Sequence, residues 1–204
     1  MSKVLQHPIK PVISVLMPVF NQEKYVEEAI QCILRQTFQE FEFIIIDDGS
    51  SDRTVEIIKK FDDKRIRLVC VPHEGLIPAL KRATHLARGE WLARMDSDDL
   101  CPPNRFEKQM SFLAEHPECV FLTTAYGIVT PNDKFLMPDA SPKWHYVEPS
   151  DITLATRLFC NPATIFKREV AVAANYDDDL GCESPFYYRL LSHGKGIVLD
   201  EPLY

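Results

Sequence analysis

Two acidic clusters stand directly after apolar runs of the sequence. The first is Asp47-Asp48, and the second, within residues 96–99, has three aspartates in four positions. Crowded carboxylates repel one another unless an opposing charge lies between them. Oxygen ligands on a short turn suit hard cations such as Mg²⁺ or Mn²⁺. The second cluster therefore predicts a divalent-metal site.

The first cluster also has a purely structural interpretation. Asp47, Gly49 and Ser50 are residue types that make turns, and Asp52 is of the type that caps a following helix. Turn formation and ligand binding both stay open for this segment on the sequence pattern alone.

The elements that must position these acids alternate between strand and helix. Apolar runs predict strands at residues 13–17, 41–46, 66–71, 91–95 and 119–124. The segments between them show helical spacing: one helix is predicted to begin near Asn21 after Pro18 ends the first strand, and another to end at Arg88. Alternation of this kind indicates an α/β fold with a largely parallel sheet. Both acidic clusters then follow strands at the same edge, where such sheets bind ligands.

The remaining third of the chain has a weaker pattern. Residues 131–149 contain four prolines and predict a long loop over the sheet. A short helix capped by Ser150 or Asp151, a returning strand at 163–166, a helix from Pro185 to Leu191 and a last strand at 197–199 are expected to follow.

Composition limits the classes of partner and the compartment. The formal charge is -7, from 30 acidic and 23 basic residues, which argues against nucleic acid as a partner. No apolar run approaches the roughly 18 residues of a membrane span, and residues 1–10 lack the apolar segment of a signal peptide. The six scattered cysteines fit a reducing compartment. We expect a cytoplasmic protein, with peripheral contact to the inner face of a membrane left open.

Four motifs in this order resemble the family 2 glycosyltransferases. The opening strand with Pro-x-Phe-Asn, the Ile-Leu-Arg-Gln-Thr-Phe segment and the two acidic signatures fall at residues 15–21, 33–38, 46–52 and 95–99. A lone Asp-x-Asp would be a weak signal, whereas the ordered set is specific and the resemblance spans nearly the whole chain.

The resemblance implies a GT-A fold, which is a Rossmann-like α/β sheet flanked by helices, and an inverting transfer of sugar. The donor is expected to be a UDP-sugar and the cofactor Mn²⁺ or Mg²⁺. The acceptor is expected to be a carbohydrate, a lipid-linked molecule or a protein, in polysaccharide or glycoconjugate synthesis. We expect one domain over residues 1–204, with a nucleotide-sugar half at about 11–125 and an acceptor half at about 126–204. Family members usually continue beyond the segment that ends at Tyr204.

The same resemblance implies roles for individual residues. Those expected at the nucleotide are Pro18, Phe20, Asn21, Glu23, Asp48, Arg82, Asp96, Ser97 and Asp98. Those expected at the metal are Asp96, Asp98 and Asp99. An ionised carboxylate only accepts hydrogen bonds, so Asp48 suits the imide N–H of uracil.

The general base is implied less directly, because the family's Glu-Asp-aromatic segment is altered to Cys-Glu-Ser-Pro-Phe here. Counting back from Arg189 places Glu183 at the base position, where a glutamate can accept the acceptor's proton. The rivals are the three aspartates at 177–179. A second departure is Asn161, which stands where a His-Pro-x-Thr-like segment is frequent in the family.

Two other functional classes place different requirements on the residues of these motifs. A phosphatase of the haloacid-dehalogenase type needs a nucleophilic aspartate where this chain has Ile46, and an apolar side chain cannot attack phosphorus. A nucleotide-binding module with this fold and decayed catalysis stays open because of the altered segment around Glu183.

Overall fold

The computed structural model describes residues 10–129, 135–136, 143–148, 152, 161–176 and 183–204. Strands and helices alternate in the first half, as the apolar pattern predicts. These elements are β1 (Ile13–Val19), α1 (Val26–Leu34), β2 (Phe41–Asp47), α2 (Thr54–Ile58), β3 (Ile66–Cys70), α3 (Leu76–Leu86) and β4 (Trp91–Arg94).

The second half is more irregular. Three short strands precede a 3-10 turn at Asn161–Ala163. A further strand, two helices and the last strand follow this turn. The bounds are α4 (Arg105–Glu115), β5 (Cys119–Ala125), β6 (Ile128–Val129), β7 (Phe135–Leu136), β8 (Trp144–Tyr146), β9 (Ile165–Lys167), α5 (Arg168–Ala174), α6 (Ser184–Leu191) and β10 (Lys195–Pro202).

Within the described residues, the main sheet has eight strands in the order β3-β2-β1-β4-β9-β5-β10-β8. The strands from β3 to β4 pair in parallel, and so do β5 and β10. β9 lies antiparallel between β4 and β5, and β8 is antiparallel to β10 at one edge. The predicted largely parallel sheet is confirmed, with β9 joining the two halves of the chain.

The sheet is buried on both faces because its strands carry apolar residues on both sides. Val15 of β1 packs in one cluster with Ile30 of α1, while the next residue, Leu16, packs in the other cluster with Leu80 of α3. Each fully buried side chain of this kind contributes about 1.5–3 kcal/mol by leaving water. β1 lies at the centre of this core and is fully buried along its length.

The predicted helix start near Asn21 is wrong. β1 continues through Pro18 to Val19, and α1 begins only at Val26. Pro18 fits because pairing with β4 stops at Leu16, so the missing N–H breaks no bond on that side. Asn21 has φ 51°, which no α-helix can continue.

The predicted helix end at Arg88 is also two residues late. α3 ends at Leu86, because the next amides turn to other acceptors. The Arg88 N–H donates to Glu42 Oε1 over 2.7 Å, and the Gly89 N–H donates to Ser14 Oγ over 2.9 Å.

The predicted loop at 131–149 is wrong where strands form. β7 pairs with β6, and β8 pairs with β10 through Trp144, His145 and Tyr146. Aromatic residues favour strands, and the open edge of β10 supplies the partner. The helix predicted to begin at Ser150 or Asp151 lies largely outside the described residues.

Four cysteines in the described part are free: Cys101 and Cys119 are buried, Cys32 is half-buried and Cys70 is exposed.

Among the helices of the described ranges, none combines the length and hydropathy that crossing a bilayer requires.

The sheet brings the acidic clusters to one edge. β2, β1 and β4 are adjacent and parallel, so the residues that follow β2 and β4 lie on either side of the end of β1. The prediction that both acidic clusters follow strands at the same edge of the sheet is confirmed for the backbone.

Gly89 provides a test of how tightly β4 is set beside β1. A Cβ added there would lie 2.6 Å from Ser14 N and 2.7 Å from Ile13 C, which are backbone atoms that cannot rotate away. We expect Gly89→Ala to lower the free energy of unfolding by about 2–3 kcal/mol, measured by urea denaturation. Glu115→Ala is the control, because Glu115 is exposed on α4 and its replacement should change stability by no more than about 0.5 kcal/mol. An unchanged free energy of unfolding in Gly89→Ala would contradict the close approach.

Candidate active site

The loop after β1 is fastened to the loop after β2. The Asn21 N–H donates to Ser50 Oγ over 2.9 Å, and the Ser51 N–H donates to Asn21 Oδ1 over 2.8 Å. The left-handed conformation of Asn21, which asparagine tolerates better than most residues, turns the chain toward these partners. The Asn21 side chain thus holds two loops together.

Glu23 belongs to the same fastening. Its N–H donates to Asp52 Oδ2 over 3.0 Å, and its carboxylate accepts from the N–H and the Nε of Arg53. Asp52 also accepts from the N–H of Thr54, the first residue of α2. The predicted cap residue of α2, Asp52, lies one residue before the observed cap, Arg53, and reaches the first amide of the helix from there.

Asp48 anchors the loop between β3 and α3. Its carboxylate is buried; Oδ1 accepts from the Glu74 N–H over 2.8 Å and Oδ2 from the Gly75 N–H over 2.9 Å. His73 Nδ1 lies 2.7 Å from the same Oδ2. Because a carboxylate oxygen has two acceptor positions, Oδ1 has a second one that no described hydrogen bond uses.

Two other residues expected at the nucleotide lie beside this loop. The Phe20 ring is 41% exposed and stacks on His73 with 4.2 Å between ring centroids. Arg82 is exposed and its Nη2 lies 3.3 Å from Glu74 Oε2. Pro18, by contrast, is buried inside β1. An exposed aromatic face and a guanidinium therefore stand near the carboxylate of Asp48.

The acidic turn after β4 presents its aspartates unequally. Asp98 is exposed and makes no hydrogen bond to protein within the described part, whereas Asp96 is bonded to Arg94 and Ser97 is buried. Burial raises the pKa of the Asp99 carboxyl, and the charges of Asp96 and Asp98 raise it further. Negative charge is thus concentrated at one turn.

Across the described ranges, no three His, Cys, Asp or Glu side chains are arranged to hold a metal by themselves. A closed protein cage is therefore not formed by these residues. Divalent cations of nucleotide enzymes are commonly held by one or two carboxylates together with phosphate oxygens and water. The free carboxylate of Asp98 and the mutual repulsion at this turn fit a cation of that kind.

A fully buried arginine joins the acidic turn to the second half of the chain. Arg94, the last residue of β4, donates through Nη1 to Asp96 Oδ1 over 2.6 Å. Its Nε and Nη2 face the two carboxylate oxygens of Glu183 at 3.3 and 3.4 Å. Burial alone would lower the pKa of the Arg94 guanidinium, but Glu183 and Asp96 raise it well above its ordinary value.

Glu183 is placed at the start of α6, where it is 6% exposed. Besides Arg94, the Asn161 Nδ2 lies 3.4 Å from its Oε2. Burial and the charge of Glu183 raise the pKa of Tyr176 and of Tyr187 well above their ordinary range, so both phenols stay neutral. The rival aspartates at 177–179 lie outside the described residues.

The Tyr204 hydroxyl is hydrogen-bonded to the acidic turn at residues 96–99. It accepts a hydrogen bond from the Asp96 N–H over 3.0 Å, and it also bonds to the Asp99 carboxylate. The end of β10 brings it there, with the Leu203 N–H donating to Ala125 O.

Sequence reasoning missed Arg94 and Tyr204. A signal existed for Arg94, because a charge inside an apolar strand must find a partner when it is buried. No signal existed for Tyr204, which follows the last strand and reaches the turn only through the order of strands in the sheet.

Known proteins with a similar sequence are described as glycosyltransferases. The sequence model of a family described as Glycosyl transferase family 2 matches residues 14–172. An uncharacterized glycosyltransferase of Methanocaldococcus jannaschii is 29% identical over 176 residues, which cover 84% of this chain and 61% of that protein. The putative teichuronic acid biosynthesis glycosyltransferase TuaG of Bacillus subtilis is 35% identical over 134 residues, covering 62% and 53%. The chain thus spans roughly half to three fifths of the length of these relatives.

Solved structures share the fold. S. aureus TarS 1-349 in complex with UDP superposes with a TM-score of 0.74 at 22% identity, covering 94% of this chain and 59% of that one. The mannosyltransferase PcManGT from Pyrobaculum calidifontis, in complex with GDP-Man and Mn²⁺, gives a TM-score of 0.71 at 20% identity, covering 92% and 54%. The predicted GT-A fold is confirmed.

The contacts of Asp48 predict a structural role that needs no nucleotide. An asparagine at this position has one acceptor oxygen and would leave one of the Glu74 and Gly75 amides unpaired. We expect Asp48→Asn to lower the free energy of unfolding by about 1–3 kcal/mol, measured by urea denaturation without ligand. Asp98→Asn is the matched control, because Asp98 is exposed and should change stability by no more than about 0.5 kcal/mol. Equal stability of the two variants would show that Asp48 does not anchor the loop.

Proposed function

The chain belongs to glycosyl transferase family 2, and on that premise we propose that it moves a sugar from a nucleoside diphosphate to an acceptor hydroxyl. The observation that carries the proposal is the acidic turn at the carboxyl end of β4, tied by Arg94 to the carboxylate of Glu183. A leaving diphosphate needs its negative charge neutralised, and an attacking hydroxyl needs a proton acceptor nearby. This site offers both on one sheet edge.

The donor is proposed to be a UDP-sugar. The remaining acceptor position on Asp48 suits the imide N–H of uracil, and the exposed ring of Phe20 offers a surface for stacking. TarS is described in complexes with UDP and with UDP-GlcNAc, and PcManGT with GDP-Man. These complexes support a nucleoside diphosphate and leave the base to experiment.

Asp98 would hold a Mn²⁺ or Mg²⁺ ion together with the diphosphate oxygens and water, and Asp96 and Asp99 are the other residues expected beside it. When bound, such an ion neutralises negative charge on the leaving group. Asp96 already bonds to Arg94, so the exposed carboxylate of Asp98 is the residue most available to a ligand. Ser97, which is buried, supports the turn rather than facing solvent.

Glu183 is the proposed general base. The acceptor hydroxyl gives its proton to the Glu183 carboxylate while its oxygen forms a bond to the anomeric carbon. The bond from that carbon to the diphosphate oxygen breaks with its electron pair, and attack from the opposite face inverts the configuration. Asn161 and Arg94 orient the carboxylate.

A second candidate function has an observation in its favour. Glu183 is only 6% exposed, and both of its oxygens already face Arg94 or Asn161. A protein in which no acceptor hydroxyl reaches this carboxylate would bind nucleotide without transferring sugar. The fold would then serve as a nucleotide-binding module with decayed catalysis.

The proposed setting is polysaccharide or glycoconjugate synthesis in the cytoplasm, at or near the inner face of a membrane. TuaG is described as a putative teichuronic acid biosynthesis glycosyltransferase, and this resemblance supports a role in polysaccharide synthesis. The acceptor is proposed to be a carbohydrate, a lipid-linked molecule or a protein.

Nucleotide binding tests the donor half of the proposal. We expect calorimetric titration with UDP, GDP, CDP and dTDP in Mn²⁺ to show the tightest binding for UDP. Removing the metal with EDTA, or substituting Asp98→Ala, should weaken binding by about 10–100-fold, because both leave the diphosphate facing uncompensated charge. Binding of none of the four nucleotides would sink the glycosyltransferase proposal.

Turnover tests the base and separates the two candidate functions. With UDP-sugars in Mn²⁺, we expect Glu183→Gln to lower kcat by about 100- to 10,000-fold and to change UDP binding far less, since Gln cannot accept the proton. Glu115→Gln, on the exposed side of α4, is the matched control and should act as wild type. If Glu183→Gln keeps full turnover, another group is the base. If wild type binds UDP and transfers nothing, the binding module is the better description.

A further inference from the structure

The two carboxylates with proposed roles in the reaction share one guanidinium. Arg94 Nη1 bonds to Asp96, while the opposite edge, Nε and Nη2, faces Glu183. Guanidinium is planar and rigid, with its donors at fixed directions. The separation of the two carboxylates is therefore set by the size of one chemical group and not by the loops that carry them.

Arg94 itself stands on a rigid support. It ends a buried strand, its N–H donates to Thr164 O over 2.9 Å, and its carbonyl accepts from Arg105 Nη2 over 2.9 Å. Its side chain is 2% exposed, so solvent cannot replace its partners. By contrast, Asp96 lies on a turn and Glu183 at the first residue before a helix. The arginine is the fixed part of the trio.

We propose that Arg94 is a positioning residue that fixes Glu183 relative to Asp96, so that a donor held at the acidic turn also orders the carboxylate on the acceptor side. This inference rests on the proposed function of the site. It assigns Arg94 no contact with substrate. Arg94 acts through the two carboxylates, and binding at one is transmitted to the other.

Arg105 is a matched control for the cost of changing a buried arginine. It is 0% exposed, and its guanidinium bonds to Gln109 Oε1 and to the carbonyls of Arg94 and Pro162. No salt bridge from Arg105 to a carboxylate is found within the described residues. Arg105→Lys therefore perturbs the same region of the core, including a hydrogen bond to the Arg94 carbonyl, while it leaves the Arg94 guanidinium and both of its carboxylate partners in place.

The first test measures hydrogen exchange with and without UDP and Mn²⁺. In wild type, ligand should slow exchange of the amides within residues 183–187, where all except Pro185 carry an N–H, as well as those at residues 96–99. Arg94→Lys keeps the charge but offers one ammonium in place of the fork, so the slowing at 183–187 should be lost. Arg105→Lys should keep it. A thermal melt of each variant shows whether it is folded at the temperature used.

The second test measures release of UDP from UDP-GlcNAc in Mn²⁺. Arg94→Lys should lower kcat by about 10–100-fold, as removing a group that orients a ligand-binding side chain does, with little change in the KM for the donor. Adding guanidinium chloride to Arg94→Ala should restore part of the rate, whereas methylammonium chloride at equal concentration should not.

The outcomes separate the inference from the proposed function. If wild type binds UDP but exchange at 183–187 does not change, or if Arg94→Lys and Arg105→Lys behave alike, Arg94 is a packing residue and the inference is wrong. If wild type binds no nucleoside diphosphate, the proposed function fails and the inference fails with it.

Discussion

One buried guanidinium between two carboxylates is the interaction on which the site depends. Taking charges out of water costs several kcal/mol per ion, and only close pairing offsets that cost. Arg94 meets Glu183 inside the protein, where water and salt screen the contact little, and it meets Asp96 at a turn where the Asp96 side chain is 33% exposed. Removing the arginine would leave two acids facing each other. The relative placement of the acidic turn and the start of α6 therefore depends on Arg94.

The sheet makes that interaction available. β9 enters antiparallel between β4 and β5, and it places the 3-10 turn with Asn161 beside the end of β4. Glu183 then lies between Arg94 and Asn161, although it is 89 positions from the arginine in sequence. The two halves of the chain are thus joined at the point where the chemistry is proposed. A purely parallel sheet would not bring these elements into contact.

Several residues of the motifs that resemble the family make structural contacts in the free protein. Asn21 and Glu23 hold the loops after β1 and β2 together, and Asp48 accepts two backbone amides. These contacts fix the loops after β1, β2 and β3 before any ligand binds. The entropy cost of ordering these loops on binding is therefore smaller. Structural and ligand-binding interpretations of the first acidic cluster are therefore compatible, because a carboxylate oxygen accepts more than one hydrogen bond.

The sequence by itself determined the alternating elements, the parallel part of the sheet and the edge at which Asp48 and the acidic turn lie. Those features follow from local apolar periodicity and from the direction of parallel strands, which nearby residues encode. It did not determine the start of α1, the strands within 131–149, or the roles of Arg94 and Tyr204. Each of these depends on partners distant in sequence: Ser50 for Asn21, β10 for β8, Glu183 for Arg94 and Asp96 for Tyr204. Only the tertiary structure decided them, because a buried charge or an edge strand takes its place from the group that pairs with it.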